Sequence, residues 1–442
     1  MRKISVFGLG PVGLVTAVCF AKRGYEVVGV DPDSRRIELI RNAKAPFFEP
    51  SLDVYLKETV ENGRLKVTSD SVANAGSDFA YITVGTPSAD DGSIDLTYIR
   101  NAAAAIGKSL RKREGYQVIV LKSTVIPGTA RNVVKPILEE QSGKELGRGF
   151  GLCSNPEFLR EGNAVYDSES PDRIVIGGQV DDIERLEMFY REFYGQSHHV
   201  IKTTYENAEL TKYANNSFLA MKVSFINMIA NLCQKTTGGD VEDVAKGIGL
   251  DKRIGSLFLM AGLGWGGSCF PKDLKAIAAY GKTINVKTTL IDAAISVNDE
   301  QPLKAVEMAE KLSGDLRGKR VAILGLAFKP NTDDIREAVS IPIIRKLLTT
   351  KAKVAVYDPA AMPNIRALFR DELQYAETAM DCINRADCCI IATEWDEFKK
   401  MLPSIFIQNM KRPVVVDGRR IYDPLTFIEA GVIFSAIGLG ET

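Results

Sequence analysis

Histidine is almost missing from this chain. Of 442 residues only the adjacent His198 and His199 are histidine, so a histidine triad or a multi-histidine metal site would have to be built from that one pair. The pair reads as ordinary strand or loop sequence, and no metal is expected. The seven cysteines, at 19, 153, 233, 269, 382, 388 and 389, contain no Cys-x-x-Cys pair. An odd, scattered set argues against both a disulfide framework and a structural zinc site and suits a reducing compartment. There is no excess of one charge: Lys plus Arg and Asp plus Glu number 56 each, so neither nucleic acid nor an anionic membrane is indicated as a partner. Long apolar runs are lacking too. No uninterrupted stretch approaches the ~20 residues of a membrane span. The apolar residues after Met1-Arg-Lys superficially resemble a secretion signal, but Gly8, Gly10, Pro11 and Gly13 break them and a strand–helix–strand pattern follows. A cytoplasmic location is expected. The 45% apolar and 25% charged residues are those of a soluble globular protein, and the length predicts two or three domains.

What stands out is Gly262-Leu-Gly-Trp-Gly-Gly-Ser-Cys-Phe-Pro-Lys-Asp273, which sets one thiol, Cys269, among glycines and just ahead of a charged pair. Gly262, Gly264, Gly266 and Gly267 let backbone approach a ligand closely and leave N–H groups free, and a nearby cation favours thiolate. A free cysteine is more often a small buried hydrophobe. Core cysteines are seldom embedded in four glycines, so the loop reads as carrying a nucleophile.

At the other end, residues 4–7 form a short buried strand, Gly8-Leu-Gly-Pro-Val-Gly13 follows directly and leads into a helical run over 14–23, and a second strand over 26–30 ends at Asp31. This is a dinucleotide-binding arrangement. The glycines serve the tight turn and close pyrophosphate approach, the helix N-terminus supplies charge, and the acid about 20 residues on takes the ribose hydroxyls. Asp31 favours NAD over NADP because it repels a 2′-phosphate; Arg36 tempers that preference. Strands over 79–84 and 118–121 end in Gly85-Thr-Pro87 and Ser123-Thr124, which puts Thr86 and Thr124 where ligands gather in an open α/β sheet. Turn chemistry alone accounts for the same residues equally well.

Another strand end at 151–155 precedes Pro156-Glu-Phe-Leu-Arg-Glu-Gly162 and Pro171-Asp-Arg-Ile-Val-Ile-Gly177. If the first of these is helical, Glu157 and Glu161 share a face and can act as acid, base or orienter. From 206 to 235 there is neither Gly nor Pro, and Leu210, Tyr213, Phe218, Met221, Phe225, Ile229 and Leu232 recur at helical spacing. One helix of nearly thirty residues is predicted, of the kind that bridges domains or forms a dimer seam. Lys212 and Asn216, one turn apart, interrupt its apolar pattern as a solvated face or as a pair facing a site. Helices over 274–282 and 288–312 follow. Strands over 320–324, 353–357, 388–392 and 414–416 then repeat the opening, with Gly325-Leu-Ala327 standing against Gly8-Leu-Gly10 and Tyr357-Asp-Pro359 against Val30-Asp-Pro32. The expected fold class is α/β, with two Rossmann-like doubly wound domains flanking a central helical region that contains the long helix. The divisions are 1–200 for the cofactor domain, 201–312 for the central region with the cysteine loop, and 313–442 for the C-terminal domain. That last domain has Phe328-Lys-Pro330 where a phosphate turn would run, and is expected to bind something other than a dinucleotide.

Over essentially its whole length the chain resembles the UDP-glucose/GDP-mannose dehydrogenase family. The stretches that carry the resemblance are 8–13, Glu49-Pro50, Gly85-Thr-Pro87, Ser123-Thr-Val125, 155–162, 209–220, Arg253-Ile-Gly255, 264–273, 325–337, Thr393-Glu-Trp395 and Asp417-Gly-Arg419. Their order and spacing together make it specific. The 156–162 segment with Pro171-Asp-Arg173 is similar to the branch that acts on UDP-glucose. Small departures are Ser51 for a usual glycine, Asn215 for a usual alanine, Met228 for a frequent glutamate and Ala338 for a usual serine.

The resemblance implies oxidation of the C6 alcohol of UDP-glucose to a carboxylate, a four-electron change using two NAD+ in sequence. It implies that Cys269 adds to the aldehyde as a thiohemiacetal, which is oxidised to a thioester. A water held near Lys212, Asn216 and Asp273 takes the hydroxyl proton, Lys212 stabilises the oxyanion, Asp273 and Thr124 position the water, and Glu157 assists hydrolysis. The family's cofactor pattern falls on Gly8, Gly10, Val12, Gly13, Asp31, Arg36, Thr86, Thr124, Glu161, Lys272 and Arg336. Its sugar-nucleotide pattern falls on Glu157, Phe158, Leu159, Arg160, Glu161, Lys212, Asn216, Phe258, Leu259, Met260, Ala261, Gly262, Gly266 and Lys329. Arg253 resembles the family's arginine that reaches across a dimer interface to the partner's substrate, which implies a homodimer seamed by the long helix. Three other readings are a dehydrogenase of another nucleotide sugar, GDP-mannose or a UDP-N-acetylhexosamine, a non-catalytic regulator that binds NAD and a sugar nucleotide, and a two-electron hydroxyacid dehydrogenase, which leaves Cys269 and the C-terminal domain without a role. A pocket difference discriminates between sugars by only ~1–3 kcal/mol. Against the regulator stand Cys269, Lys212, Asp273, Glu157 and Thr124, all present. Cys382, Cys388 and Cys389 read as packing residues.

Overall fold

Runs of Val, Ile, Leu and Ala only four or five residues long, apolar on both faces, suit a parallel sheet covered by helices on both sides. The computed structural model describes residues 2–70, 76–196 and 198–441, and there the runs build two sheets. Lys3–Phe7 (β1), Glu26–Val30 (β2), Leu65–Thr68 (β3), Phe79–Ile82 (β4), Val118–Leu121 (β5), Gly151–Ser154 (β6), Ile174–Gly178 (β7) and Val200–Thr203 (β8) make the first, in the order β3-β2-β1-β4-β5-β6-β7-β8. Its first six strands are parallel; β7 pairs antiparallel with β6 and parallel with β8. Arg320–Leu324 (β9), Lys353–Tyr357 (β10), Gln374–Tyr375 (β11), Cys388–Ile391 (β12), Val414–Asp417 (β13) and Ile433–Ala436 (β14) make the second, in the order β11-β10-β9-β12-β13-β14. Both sheets therefore carry the doubly wound order 3-2-1-4-5-6, and the strand order reverses beside β1 in one and β9 in the other. The fold class is the expected one.

The chain divides into two compact units, Met1–Asn215 with Lys275–Ile284, and Asn216–Leu274 with Asn285–Thr442. In the first, Phe20 of the helix Pro11–Lys22 packs its ring 5.2 Å from Tyr81, 5.3 Å from Phe189 and 5.1 Å from Phe193, so one buried aromatic cluster joins sheet and helices. In the second, Ile323, Ile390 and Val416 of the sheet share a fully buried core with Ile226, Ala230 and Leu263. Cys382, Cys388 and Cys389 are buried in this unit, and burial pushes the Cys382 and Cys388 thiols up to about 12. They pack within the core.

The long helix runs from Tyr205 to Cys233, 29 residues. The single helix expected over 288–312 is instead two, Thr289–Glu300 and Leu303–Ser313. Pro302 accounts for the break, since it has no N–H for the ladder and its ring crowds the preceding turn. The segment 156–162 is not helical, and a helix begins only at Ala164–Glu169, so Glu157 and Glu161 do not share a helix face.

Candidate active site

Asp31 closes the glycine turn after β1. Its carboxylate accepts from Leu9 N–H at 2.7 Å and from Arg36 Nη1 at 2.9 and 3.0 Å, and it is buried. Gly8 adopts φ +94°, which favours glycine, and a Cβ at Gly13 would lie 1.8 Å from the Gly8 carbonyl oxygen. Gly10 differs from both: its φ is −70° and a Cβ there would meet nothing of the chain within 4 Å. Neither conformation nor packing requires glycine at that position, whereas a diphosphate lying against the backbone does. The helix Pro11–Lys22 starts there without a side-chain cap, leaving first-turn N–H groups, Val12 and Gly13 among them, for an anion. These residues fit a dinucleotide. Thr86 and Thr124 are adjacent, the Thr86 hydroxyl donating to the Thr124 carbonyl at 2.9 Å.

In the same unit a buried ion pair joins Glu157, at the exit of β6, to Lys212 on the long helix, Oε1 to Nζ 2.9 Å. Glu157 also accepts from Leu159 N–H at 2.5 Å. Burial alone would raise its pKa, but Lys212, the Leu159 N–H and Lys122 together hold it below the usual carboxylate range. Phe158 carries the Arg173 guanidinium over its ring at 3.9 Å and the Lys212 ammonium at 5.5 Å. Arg173 in turn donates to Asn215 Oδ1 at 2.7 Å, so the departure at Asn215 serves to hold this stacked arginine. Arg160 is fixed to Asp167 by paired bonds of 2.6 and 3.0 Å. Glu161 is half-buried, and the N–H groups of Gly162 and Ala164 beyond it donate to the buried Glu49 at 2.8 and 2.7 Å.

Two residues of this cluster escaped the sequence analysis. Lys122 is half-buried as a residue, but its ammonium end is desolvated; burial, and Lys212 nearby, bring it down to about 8 against the opposing pull of Glu157. Glu209 lies one turn before Lys212, buried. The available signals were a lysine directly after the apolar strand β5 and an acid on an otherwise inward helix face.

The second unit holds the thiol. Of seven free cysteines Cys269 alone is exposed. It ends the glycine loop as the helix Phe270–Thr283 begins, and Ser268 Oγ lies 3.5 Å from its sulfur. Asp273 is buried one turn on, and its carboxylate accepts from Asn216 Nδ2 at 2.7 Å and from Lys272 Nζ at 2.5 Å. The loop itself is seated on the C-terminal sheet's connections. A Cβ at Gly266 would lie 2.1 Å from the Glu337 carbonyl oxygen, and Gly267 donates its N–H to Arg336 O at 2.9 Å with Phe328 against its α-carbon face. Packing thus explains at least these two glycines without any ligand. Gly262 is held by Asn227 and Gln301, its N–H donating at 2.8 Å and its carbonyl accepting at 2.9 Å. Phe258 has φ +63°, Leu259 and Ala261 are buried, and Met260 is exposed. Lys329 sits 5.4 Å over the Phe328 ring. Arg336 pairs with Asp334, and Arg253, exposed, with Asp251.

The turn after β9 is built differently from its counterpart after β1. Asp358 accepts from both Leu326 N–H, 2.7 Å, and Ala327 N–H, 3.0 Å, and from the Trp395 indole at 3.0 Å. The Leu326 bond repeats that of Leu9 to Asp31; the difference is that Ala327, the counterpart of Gly10, carries a Cβ and gives its N–H to the carboxylate as well, which suits a ligand other than a dinucleotide.

Three family signatures match in order along the chain: the NAD binding domain of the UDP-glucose/GDP-mannose dehydrogenase family over residues 2–194, its central domain over 206–300 and its UDP binding domain over 322–424. The chain is 44% identical to the UDP-glucose 6-dehydrogenase AglM of Haloferax volcanii, covering 95% of this chain and 97% of that protein. Among solved structures it is similar to a UDP-glucose dehydrogenase from Pyrobaculum islandicum, with TM-score 0.91, 40% identity and 99% and 98% of the two chains covered. It is also similar to a UDP-D-ManNAc dehydrogenase from Pyrococcus horikoshii, with TM-score 0.88, 28% identity and both chains covered completely. With every part of that architecture matched in sequence and in fold, the chain belongs to the UDP-glucose/GDP-mannose dehydrogenase family.

Proposed function

We propose that the protein oxidises the C6 alcohol of UDP-glucose to the carboxylate in two NAD-dependent steps, through a thioester on Cys269. The observation that carries this reading is the one exposed cysteine set a turn before a buried Asp273 that Asn216 and Lys272 hold in place. Bound NAD would supply the hydride acceptor that both oxidations need, of alcohol to aldehyde and of thiohemiacetal to thioester. The chain's own residues do the rest. Asp273, Asn216 and Thr124 hold the water that takes the C6 hydroxyl proton, and Lys212 stabilises negative charge on O6. The Cys269 thiolate then adds to the aldehyde carbon, forming the C–S bond while the oxygen gains a proton. In the last step Glu157 orients a water whose attack breaks that bond and releases carboxylate and thiolate.

In this reading residues 1–200 hold NAD through Gly8–Gly13, Asp31, Arg36 and Thr86. Residues 201–312 carry the thiol and the dimer seam, and 313–442 hold the UDP moiety with Lys329. Arg253 serves the partner's site in a homodimer. Support for the seam comes from Phe218, Phe225 and Leu232, which are exposed at seven-residue spacing on the long helix. A cytoplasmic setting suits seven free thiols; no helix among the described residues is long and apolar enough to cross a membrane. A different nucleotide sugar is the second reading, because the chain also superposes on a dehydrogenase of an N-acetylated UDP-sugar.

The test is the NADH formed per UDP-glucose at limiting sugar, for wild type and Cys269→Ser. Two NADH per sugar, with the variant stalled at a bound intermediate, is expected. One NADH per sugar, or an undiminished variant, would overturn the thioester route, and turnover of another nucleotide sugar in preference would move the assignment to the second reading.

A further inference from the structure

We propose that Glu209 is a positioning residue for this reaction, its buried carboxylate tying together the three segments that carry Thr124, Glu157 and Lys212. The inference rests on the roles proposed above for those residues. Glu209 Oε2 accepts from Gly128 N–H at 2.6 Å, and Oε1 accepts from Ala130 N–H at 2.9 Å and from Ser154 Oγ at 3.0 Å. Gly128 and Ala130 lie where the chain, four to six residues past Thr124, turns into a helical stretch beginning at Ala130. Their N–H groups have no partner within that helix, so the carboxylate supplies a cap from another element. Ser154 ends β6, three residues before Glu157. Glu209 itself is one helical turn before Lys212. Thr124, Ser154, Pro156, Glu209 and Lys212 line a shared cavity of about 10 Å³, roughly the least that admits one water. A shift of any one segment is thereby felt by the other two.

Among the described residues, the hydrogen-bond partners of Glu209 are the neutral donors of Gly128, Ala130 and Ser154. The charged groups that face it are Glu206, one turn earlier and paired with Arg131, and Lys212, across the shared cavity. Burial pushes its pKa up to about 7, against the pull of Ala130, Gly128 and Ser154. Ionised, it accepts all three donors; protonated, one oxygen turns donor and must face an N–H or hydroxyl donor. Activity is therefore expected to rise as Glu209 ionises. Stability runs the other way. With the folded pKa above the unfolded one, the contribution of Glu209 is fully present below the unfolded value and lost as pH rises through about 7.

The experiment measures kcat and KM for UDP-glucose and NAD from about pH 6 to about pH 9 in wild type, Glu209→Gln and Ser154→Ala. Glu209→Gln fixes a donor where the ionised acid accepts. It is expected to lower kcat ~10–100-fold, to change each KM by less than about twofold, and to lose the acid limb near neutrality. Ser154→Ala removes a donor to the charged form and is expected to move that limb to higher pH. A Glu209→Gln enzyme with wild-type kcat and limb overturns the proposal. Should that variant fail to fold, an unmoved limb in Ser154→Ala overturns it instead. If wild type forms no NADH from UDP-glucose, the reaction assignment falls and this role with it; a normal wild type with unaffected variants removes the role of Glu209 alone.

Discussion

Lys212 and Glu157 form a pair in which each side chain makes the other's burial tolerable. Two buried charges at 2.9 Å cost desolvation that their attraction and the Leu159 N–H offset. Because the folded pKa of Glu157 is depressed, its contribution to stability is present above the unfolded value of about 4.3 and is lost as pH falls through the lower folded value. Lys212→Met leaves the carboxylate buried with its Leu159 N–H bond and the more distant Lys122 in place of a directly paired cation. Unfolding in denaturant is expected to show a loss of ~3–5 kcal/mol at neutral pH, with less of the loss at low pH where Glu157 is protonated anyway. Turnover is expected to fall by ~10²–10³-fold. A variant of wild-type stability and pH dependence would refute the pairing argument. Ser51 shows a different residue-scale effect: it holds φ +67° at the start of the helix Leu52–Glu61, a conformation that glycine takes without strain, which explains why glycine is usual there.

Elements in this fold are located by buried carboxylates as much as by apolar faces. Glu49 receives Gly162 and Ala164, Glu209 receives Gly128, Ala130 and Ser154, and Asp358 receives the turn after β9. Each satisfies N–H groups of segments that no helix or strand ladder serves. The cysteine loop is located by the absence of side chains instead. Gly266→Ala places a methyl group 2.1 Å from the Glu337 carbonyl oxygen, backbone that cannot rotate away. The loop must shift, at a cost of ~1–3 kcal/mol or more, carrying Cys269 with it. A lowered melting temperature together with slowed thiol alkylation at Cys269 is expected. An alanine variant that melts and reacts like wild type would mean the loop is not seated as described.

At the scale of the whole molecule the long helix bears on assembly. Phe218 is 58% exposed, Phe225 45% and Leu232 61%, while Tyr213 of the same helix is fully buried, so the helix has one face inside its own chain and one apolar face outside it. An apolar stripe at seven-residue spacing suits a helix–helix seam. Phe225→Glu puts a charge at the centre of that stripe. Sedimentation is expected to change from dimer to monomer, with turnover lost if Arg253 completes the partner's site; a wild-type protein that sediments as a fully active monomer would contradict the dimer.

What the sequence determined by itself is local and periodic. The glycine turn and Asp31, the strands β1, β2, β5, β9 and β10, the uninterrupted run that becomes the helix Tyr205–Cys233, and the thiol in its glycine loop are all legible because their signals lie within a few turns of chain. Tertiary structure decided what depends on distant partners. The helix break at Pro302 is not among these: its cause is local, a missing N–H and a crowding ring, and only the apolar periodicity running through it hid it from a reading of the sequence. The segment 156–162 took its shape from Glu49 and Asp167 and not from helix propensity. Lys122 and Glu209 became chemically distinct only through burial, which shifts an ionisable group by removing water from around it. Two glycines of the cysteine loop turned out to be required by Glu337 and Phe328, more than sixty residues away in the chain. Composition and spacing carry no record of such contacts, because close packing is a property of the folded chain and not of any stretch of it.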